Sequence, residues 1–152
     1  MRRRLAMALG SAALLAAATV GPADATGQAD LAQVRSATAA YHDLGTAMGA
    51  GYAQVSDCVP NMGYHYQRGV AATAEDLDPL NPEILVYAPL PNGRNKLVAV
   101  EYATWDEEAE LFGTAFDPPH PHGGPPFHTL HVWVWQGNPD GIFAPTNPNV
   151  RC

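Results

Sequence analysis

Three ionisable residues stand inside apolar runs of this sequence. His65 lies in Met62-Gly63-Tyr64-His65-Tyr66-Gln67, Glu101 in Leu97-Val98-Ala99-Val100-Glu101-Tyr102, and His131 in Leu130-His131-Val132-Trp133-Val134-Trp135. Burying an unpaired charge is expensive, so each of them needs a partner. Two imidazoles and one carboxylate, each from a different strand, are a sufficient ligand set for one divalent ion with positions left open. That set suits zinc or copper, and a two-histidine-one-carboxylate face also suits non-haem iron. Strands would hold such ligands rigidly. If the site is catalytic, its open position would activate water or a small substrate, which points to a hydrolase or an oxidoreductase. The alternative is a buried polar network, in which Glu101 bonds to a tyrosine or to backbone amides and each histidine is a satisfied core residue. No His-Glu-x-x-His signature is present, so spacing alone does not bring the three together.

A second histidine group, His120, His122 and His128, surrounds Pro118-Pro119-His120-Pro121-His122-Gly123-Gly124-Pro125-Pro126. His-x-His in a loop can bind copper, nickel or zinc, and the same residues also suit a solvated proline-rich loop. We expect His120 and His122 to form a lid or second metal site over the sheet. His128 and His131 are three apart on a strand, so they point to opposite faces and should not share one site. Other chemistries lack their signatures. There is no Gly-x-Ser-x-Gly elbow, and nothing in the sequence around Ser36 and Ser56 suggests a triad. No phosphate loop or dinucleotide fingerprint occurs. A glycosidase pair would need a second carboxylate in a strand comparable to that of Glu101. The tryptophans Trp105, Trp133 and Trp135 read as core more readily than as a stacking platform.

The elements that must position these residues follow from periodicity. Leu31, Val34, Thr38, Tyr41, Met48 and Tyr52 form one stripe at helical spacing over residues 27–52, with Asp30 and Gln33 resembling a capping box and Gly49-Ala50-Gly51 a stop. Strands are expected at 62–67, 83–88, 96–104 and 127–136. Asn92-Gly93 between the middle two is the strongest short hairpin cue. A two-residue turn there would place Glu101 opposite Ile84, with Val86, Ala88, Leu97, Ala99 and Ala103 on its face. Leu85, Tyr87, Val98, Val100 and Tyr102 would take the other face. In the last strand Thr129, His131, Trp133 and Trp135 would share a face. Both faces of the hairpin are apolar, so both should be covered. A helix covers one, and the other needs more strands, a long loop or a second copy of the chain. The predicted fold is α+β, a single domain with one N-terminal helix packed on a curved, mainly antiparallel sheet of about four or more strands.

Residues 1–25 read as a secretory signal peptide, with Arg2, Arg3 and Arg4 preceding an apolar run to Val20 and Ala23-Asp24-Ala25 before the cut. A bilayer span needs roughly 20 apolar residues, and Gly10, Ser11 and Thr19 interrupt this shorter run. The expected exported domain is 26–152, secreted or held in the cell envelope. Eight basic against 15 acidic residues give a net charge of −7, with no basic stripe, which argues against nucleic acid or an anionic membrane surface as partner. A small-molecule ligand or substrate and a homo-oligomer remain open. In an oxidising compartment Cys58 and Cys152, the two cysteines of the chain, are expected to form a disulfide; the alternative is a pair of thiolate ligands.

The segments Cys58-Val59-Pro60-Asn61-Met62-Gly63-Tyr64-His65-Tyr66, Leu97-Val98-Ala99-Val100-Glu101-Tyr102 and Leu130-His131-Val132-Trp133-Val134-Trp135-Gln136-Gly137-Asn138-Pro139, with the ending Asn147-Pro148-Asn149-Val150-Arg151-Cys152, resemble those of a group of small exported microbial proteins. The resemblance covers most of residues 26–152 and implies one domain with paired cysteines. It supplies no reaction and no cofactor. The leading expectation is therefore an exported metal-binding protein, and the alternative is a non-enzymatic extracellular binding or structural domain with a buried polar network.

Overall fold

The computed structural model describes residues 22–120 and 124–152. Most of the signal segment, residues 1–21, lies outside them, as does His122. The expected cut after Ala25 falls within the first helix, α1 (Pro22–Thr38). The stripe expected over 27–52 forms as three helical pieces rather than one. A 3-10 turn at Ala39–His42 follows α1 and leads to α2 (Leu44–Gly49). The break comes at Asp43, whose carboxylate accepts hydrogen bonds from the Thr46 backbone N–H (2.6 Å) and hydroxyl (2.8 Å), as an N-cap does. Asp30 lies inside α1 and is not a cap. The expected stop does form. Gly51 takes φ +95, and the Tyr52 and Gly51 amides return to the carbonyls of Ala47 and Met48. The break also rotates the stripe, so that Ala47 is buried and Met48 is 58% exposed.

Five strands form one antiparallel sheet: β1 (Ala53–Gln54), β2 (Tyr64–Gln67), β3 (Ile84–Pro89), β4 (Asn95–Thr104) and β7 (His128–Val132), in the order β1-β2-β3-β4-β7. The architecture is α+β. A small separate hairpin joins β5 (Glu110–Leu111) to β6 (Thr114–Ala115). Between β3 and β4 the register is as predicted from Ile84↔Glu101 to Val86↔Ala99, then shifts by one at a bulge beside Tyr87. The shift accompanies a hairpin loop one residue longer than expected, with Pro89 opposite Asn95 and Gly93 at φ +75. Two residues change sides as a result. Leu97 joins Leu85, Tyr87, Val100 and Tyr102, and Val98 joins Val86 and Ala99.

The two faces have different covers. One packs beneath the helical region, where Val34, Ala47 and Tyr52 meet Tyr66, Leu85, Tyr87, Tyr102, Leu130 and Val132. The hydroxyls of Tyr52, Tyr87 and Tyr102 each donate to a backbone carbonyl at 2.6 Å, those of Pro82, Tyr41 and Pro79 respectively, so the buried rings leave no polar group unpaired. The other face carries His65, Glu101 and His131 among Ile84, Val86, Val98, Ala99, Ala103, Phe127 and Trp133, and irregular segments cover it. The last strand stops at Val132. A tight turn (Val134 N–H to Val132 O, 2.8 Å) leaves Trp133 on the Glu101 face and sends Trp135 to the helical side, where its indole N–H donates to the Thr38 hydroxyl. The shared face expected for Thr129, His131, Trp133 and Trp135 therefore loses its last member.

Cys58 and Cys152 form a disulfide across 94 positions, and Val150 packs under the Glu101 face with Trp133. No free cysteine occurs among the described residues. Closing so long a loop restricts the unfolded chain by about 4–5 kcal/mol in the loop-entropy description. Reduction, or the Cys58→Ser and Cys152→Ser pair of substitutions, should therefore lower the stability measured by urea unfolding by several kcal/mol; an unchanged midpoint would show that the cross-link contributes nothing.

Candidate metal centre

Strand pairing brings the three predicted residues together. His131 lies directly opposite Glu101 across β4 and β7. On the other flank Glu101 faces Ile84, and His65 faces Val86, two residues along β3 on the same side. The backbone of β2 is two strand spacings from β4, roughly 10 Å, a gap that long side chains can span over aliphatic neighbours. The Nε2 atom of His65 lies 3.6 Å from one Glu101 oxygen (Oε2), and Nε2 of His131 lies 3.6 Å from the other (Oε1). One ligand atom from each of the three residues falls within 4.8 Å of the other two. Glu101 and His131 are buried, with exposures of 2% and 3%, and His65 is partly buried.

These contacts are too long for charge-assisted hydrogen bonds, which close to about 2.7–2.9 Å. They are near the separation of two ligands on one ion: bonds of about 2.0–2.1 Å at tetrahedral angles place ligand atoms roughly 3.3 Å apart. Glu101 Oε2 and both ring nitrogens of His131 are buried without any hydrogen-bond partner. Buried polar atoms are rarely left so, and three in one cluster call for a missing partner.

The surroundings orient the ligands unequally. The Ser56 hydroxyl accepts from the His65 backbone N–H (3.1 Å) and lies 3.0 Å from Nδ1 of the same ring. With the proton on Nδ1, the ring donates to Ser56 and turns the Nε2 lone pair toward Glu101, as a ligating histidine requires. Ser56 was not recognised from sequence, because its partner is nine residues away through an irregular turn. Its only signal is its place two residues before Cys58. The His131 ring has no such hydrogen bond and is held by near-parallel stacking on Trp133, with centroids 5.8 Å apart at 12°. The Trp133 indole is fixed in turn by donating to the Ala144 carbonyl at 2.7 Å.

Burial disfavours charge on all three groups. It holds the His65 pKa below the usual histidine value against the opposing pull of Glu101. It pushes His131 down to about 4, although the Asp117 carboxylate pulls the other way. It raises Glu101 above the usual carboxylate range, despite His65 and the Thr129 hydroxyl, which favour the anion. Without a cation the cluster is thus biased toward neutral forms. A divalent ion would offset the negative charge that burial disfavours on Glu101, while neutral imidazoles are already the ligating form.

A cavity of about 560 Å³ opens onto the cluster. His65, Glu101, His131 and Thr129 line it together with Ser56 and Gln67, and the remaining wall is largely apolar. His120 lies at this cavity and is exposed, so one of the two expected lid histidines is beside the site. His128 pairs with Thr104 on β4, does not line the cavity and is not part of the cluster. Compared with known proteins, the chain matches no family model, no curated protein and no solved structure.

The raised Glu101 pKa has a signed consequence for stability. The unfolded carboxyl ionises from about 4.5, whereas the folded one keeps its proton to higher pH, so ionisation destabilises the metal-free fold as pH rises through that window. Glu101→Gln removes this loss. The metal-free variant should melt a few degrees above metal-free wild type at neutral pH, with the gap closing toward pH 4.5. A variant that melts below wild type at neutral pH, with the deficit closing toward pH 4.5, would show that the ionised carboxylate stabilises the fold through internal bonds.

Proposed function

We propose that the protein binds one divalent metal ion through His65, Glu101 and His131. The observation that carries this reading is the convergence of three ligand-type side chains from three strands, with buried nitrogen and oxygen atoms that have no partner at separations suited to a shared ion. Their donor set suits zinc or copper best, with iron also accommodated. When bound, such an ion supplies a Lewis acid with open coordination positions facing the cavity, which fits a metal-dependent hydrolase or oxidoreductase acting on a small molecule. The chain's own residues would hold the ion through neutral imidazoles, fix His65 through Ser56 and His131 through Trp133, and keep bulk water from the inner wall. His120 is placed to approach a molecule entering the cavity.

We also propose export, on the basis of the arginine-led apolar segment at residues 2–20 and the Cys58–Cys152 disulfide, which suits an oxidising compartment. Among the described residues no helix is long and apolar enough to cross a membrane. The low number of basic residues and the net charge of −7 favour a small-molecule partner over nucleic acid.

The test is elemental analysis of residues 26–152 purified without chelator, beside a His131→Ala variant. We expect about one equivalent of zinc, copper or iron per chain in the wild type and well under a tenth of that in the variant. Chelator should lower the wild-type melting temperature and added metal should restore it, because a ligand that binds the folded state alone stabilises it by mass action. No metal in the wild type after incubation with each ion, and no thermal response, would leave a buried polar network that only fixes the packing.

A further inference from the structure

We infer that the ligand of this cavity is a small, apolar-bodied aromatic molecule with one oxygen-donor head, of which a catechol is the simplest example. The inference rests on the metal reading above and adds what the rest of the cavity selects. About 560 Å³ is the size of a small-molecule site, enough for a substituted single ring with its solvent-facing substituents. Away from the cluster the wall is built mainly from Val55, Val59, Met62, Ile84, Pro125 and Phe127, with Gln67 and His120 as its polar side chains. Phe127 offers a ring for edge-to-face contact, and the Met62 thioether is a favourable neighbour for an aromatic group. Such a wall gives a sugar or a peptide backbone few hydrogen bonds beyond the inner end.

Charge selects further. Among the described residues no lysine or arginine lines the cavity, and the one carboxylate there is that of Glu101. A divalent ion with one carboxylate and two neutral imidazoles carries a single net positive charge. A catechol bound as its monoanion would neutralise that charge inside an apolar wall. A phosphate dianion would instead leave an unpaired negative charge there, within a protein whose overall charge is already −7. Two adjacent ring oxygens also match an ion with more than one open position, since three protein ligands leave room on zinc, which can expand to five-coordination.

The experiment uses the full exported chain loaded with zinc, which has no redox chemistry of its own to oxidise the probe. Zinc content is measured first, and 4-nitrocatechol is then titrated while its visible absorbance is followed. We expect a red shift that saturates at about one dye per zinc, no shift with the zinc-free protein, and zinc that co-elutes with the protein afterwards. Phosphate at a hundredfold excess should not reverse the shift. Phe127→Ala should weaken dye binding by about tenfold with zinc content unchanged. Met62→Ala, at a loop position less critical for folding, should weaken it severalfold. Full zinc loading without an absorbance change, displacement by phosphate, or wild-type binding in both variants would overturn the ligand class and leave the metal site standing. Absence of zinc from the wild type would overturn the metal site and this inference together.

Discussion

A carboxylate placed in the interior of a sheet loses its hydration and must be compensated by something nearby. In this protein the compensation is drawn from strands on both sides of β4. Glu101 is nearly inaccessible, its Oε2 atom has no hydrogen bond, and an imidazole nitrogen lies 3.6 Å from each of its carboxylate oxygens. Without an ion this arrangement is a net cost, because burial pushes the acid and the bases alike toward their neutral forms. The surrounding structure must therefore be stable enough to hold three poorly satisfied groups in place. Sites that bind tightly commonly carry this kind of local destabilisation, since the ligand then relieves what the fold leaves unmet.

The opposite face of the sheet shows how that stability is provided. Its tyrosines bury large rings and still satisfy their hydroxyls with backbone carbonyls from the segments that cross above them. Val34, Tyr52, Tyr87, Leu97 and Val100 are inaccessible or nearly so, which makes this side a well-filled core, and among the described residues the buried side-chain atoms without a partner all lie on the other face. The bulge beside Tyr87 contributes to the division. By moving Leu97 to the tyrosine face and Val98 to the Glu101 face, it keeps a bulky residue in the main core and a smaller one near the site. Gly63 has a related role where β2 begins. It adopts φ +109, and a methyl group there would run into the Tyr87 carbonyl. The close approach sets β2 against β3 just before His65, so the His65 ring is placed by backbone packing as well as by Ser56.

Much of this was legible in the sequence because Glu101 is conspicuous in Leu97-Val98-Ala99-Val100-Glu101-Tyr102. Alternation then put His65 and His131 on candidate strands. The hairpin cue at Asn92-Gly93 placed Ile84 opposite Glu101 correctly, since register near the site depends on the sum of paired positions. The same cue failed nearer the turn. Nothing local distinguishes a two-residue from a three-residue loop there, and the extra residue had to be absorbed by a bulge. Helix continuity failed at Asp43 for a similar reason: its side chain could either sit in solvent on a long helix or cap a new one, and the Thr46 bonds that decide this are made only when the turn forms. Trp135 left the face expected for it because alternation ends where the strand does, at Val132. Ser56 was out of reach altogether, since its role depends on a return of the chain that the disulfide and the Val59–Gly63 bridge help to fix.

The irregular cover over the Glu101 face leaves room that a second regular layer would fill. A second sheet packed about 10 Å above the first would interdigitate with it and fill the space over the cluster. Helices would do much the same at 8–10 Å. Here the segment from Val55 to Met62 and the residues from Gly124 to Phe127 wall the space at its sides and leave about 560 Å³ open above His65, Glu101 and His131. Irregular segments are costly to order, and these are tied down at few points. The Asn147 amide donates to the Asn61 carbonyl at 2.8 Å, Val150 is inserted beneath the face, and Cys152 is bonded to Cys58 within the wall itself. The cross-link therefore does more than restrict the unfolded chain. It holds the irregular segment that carries Ser56 against β2, and so helps fix the direction of the His65 ring.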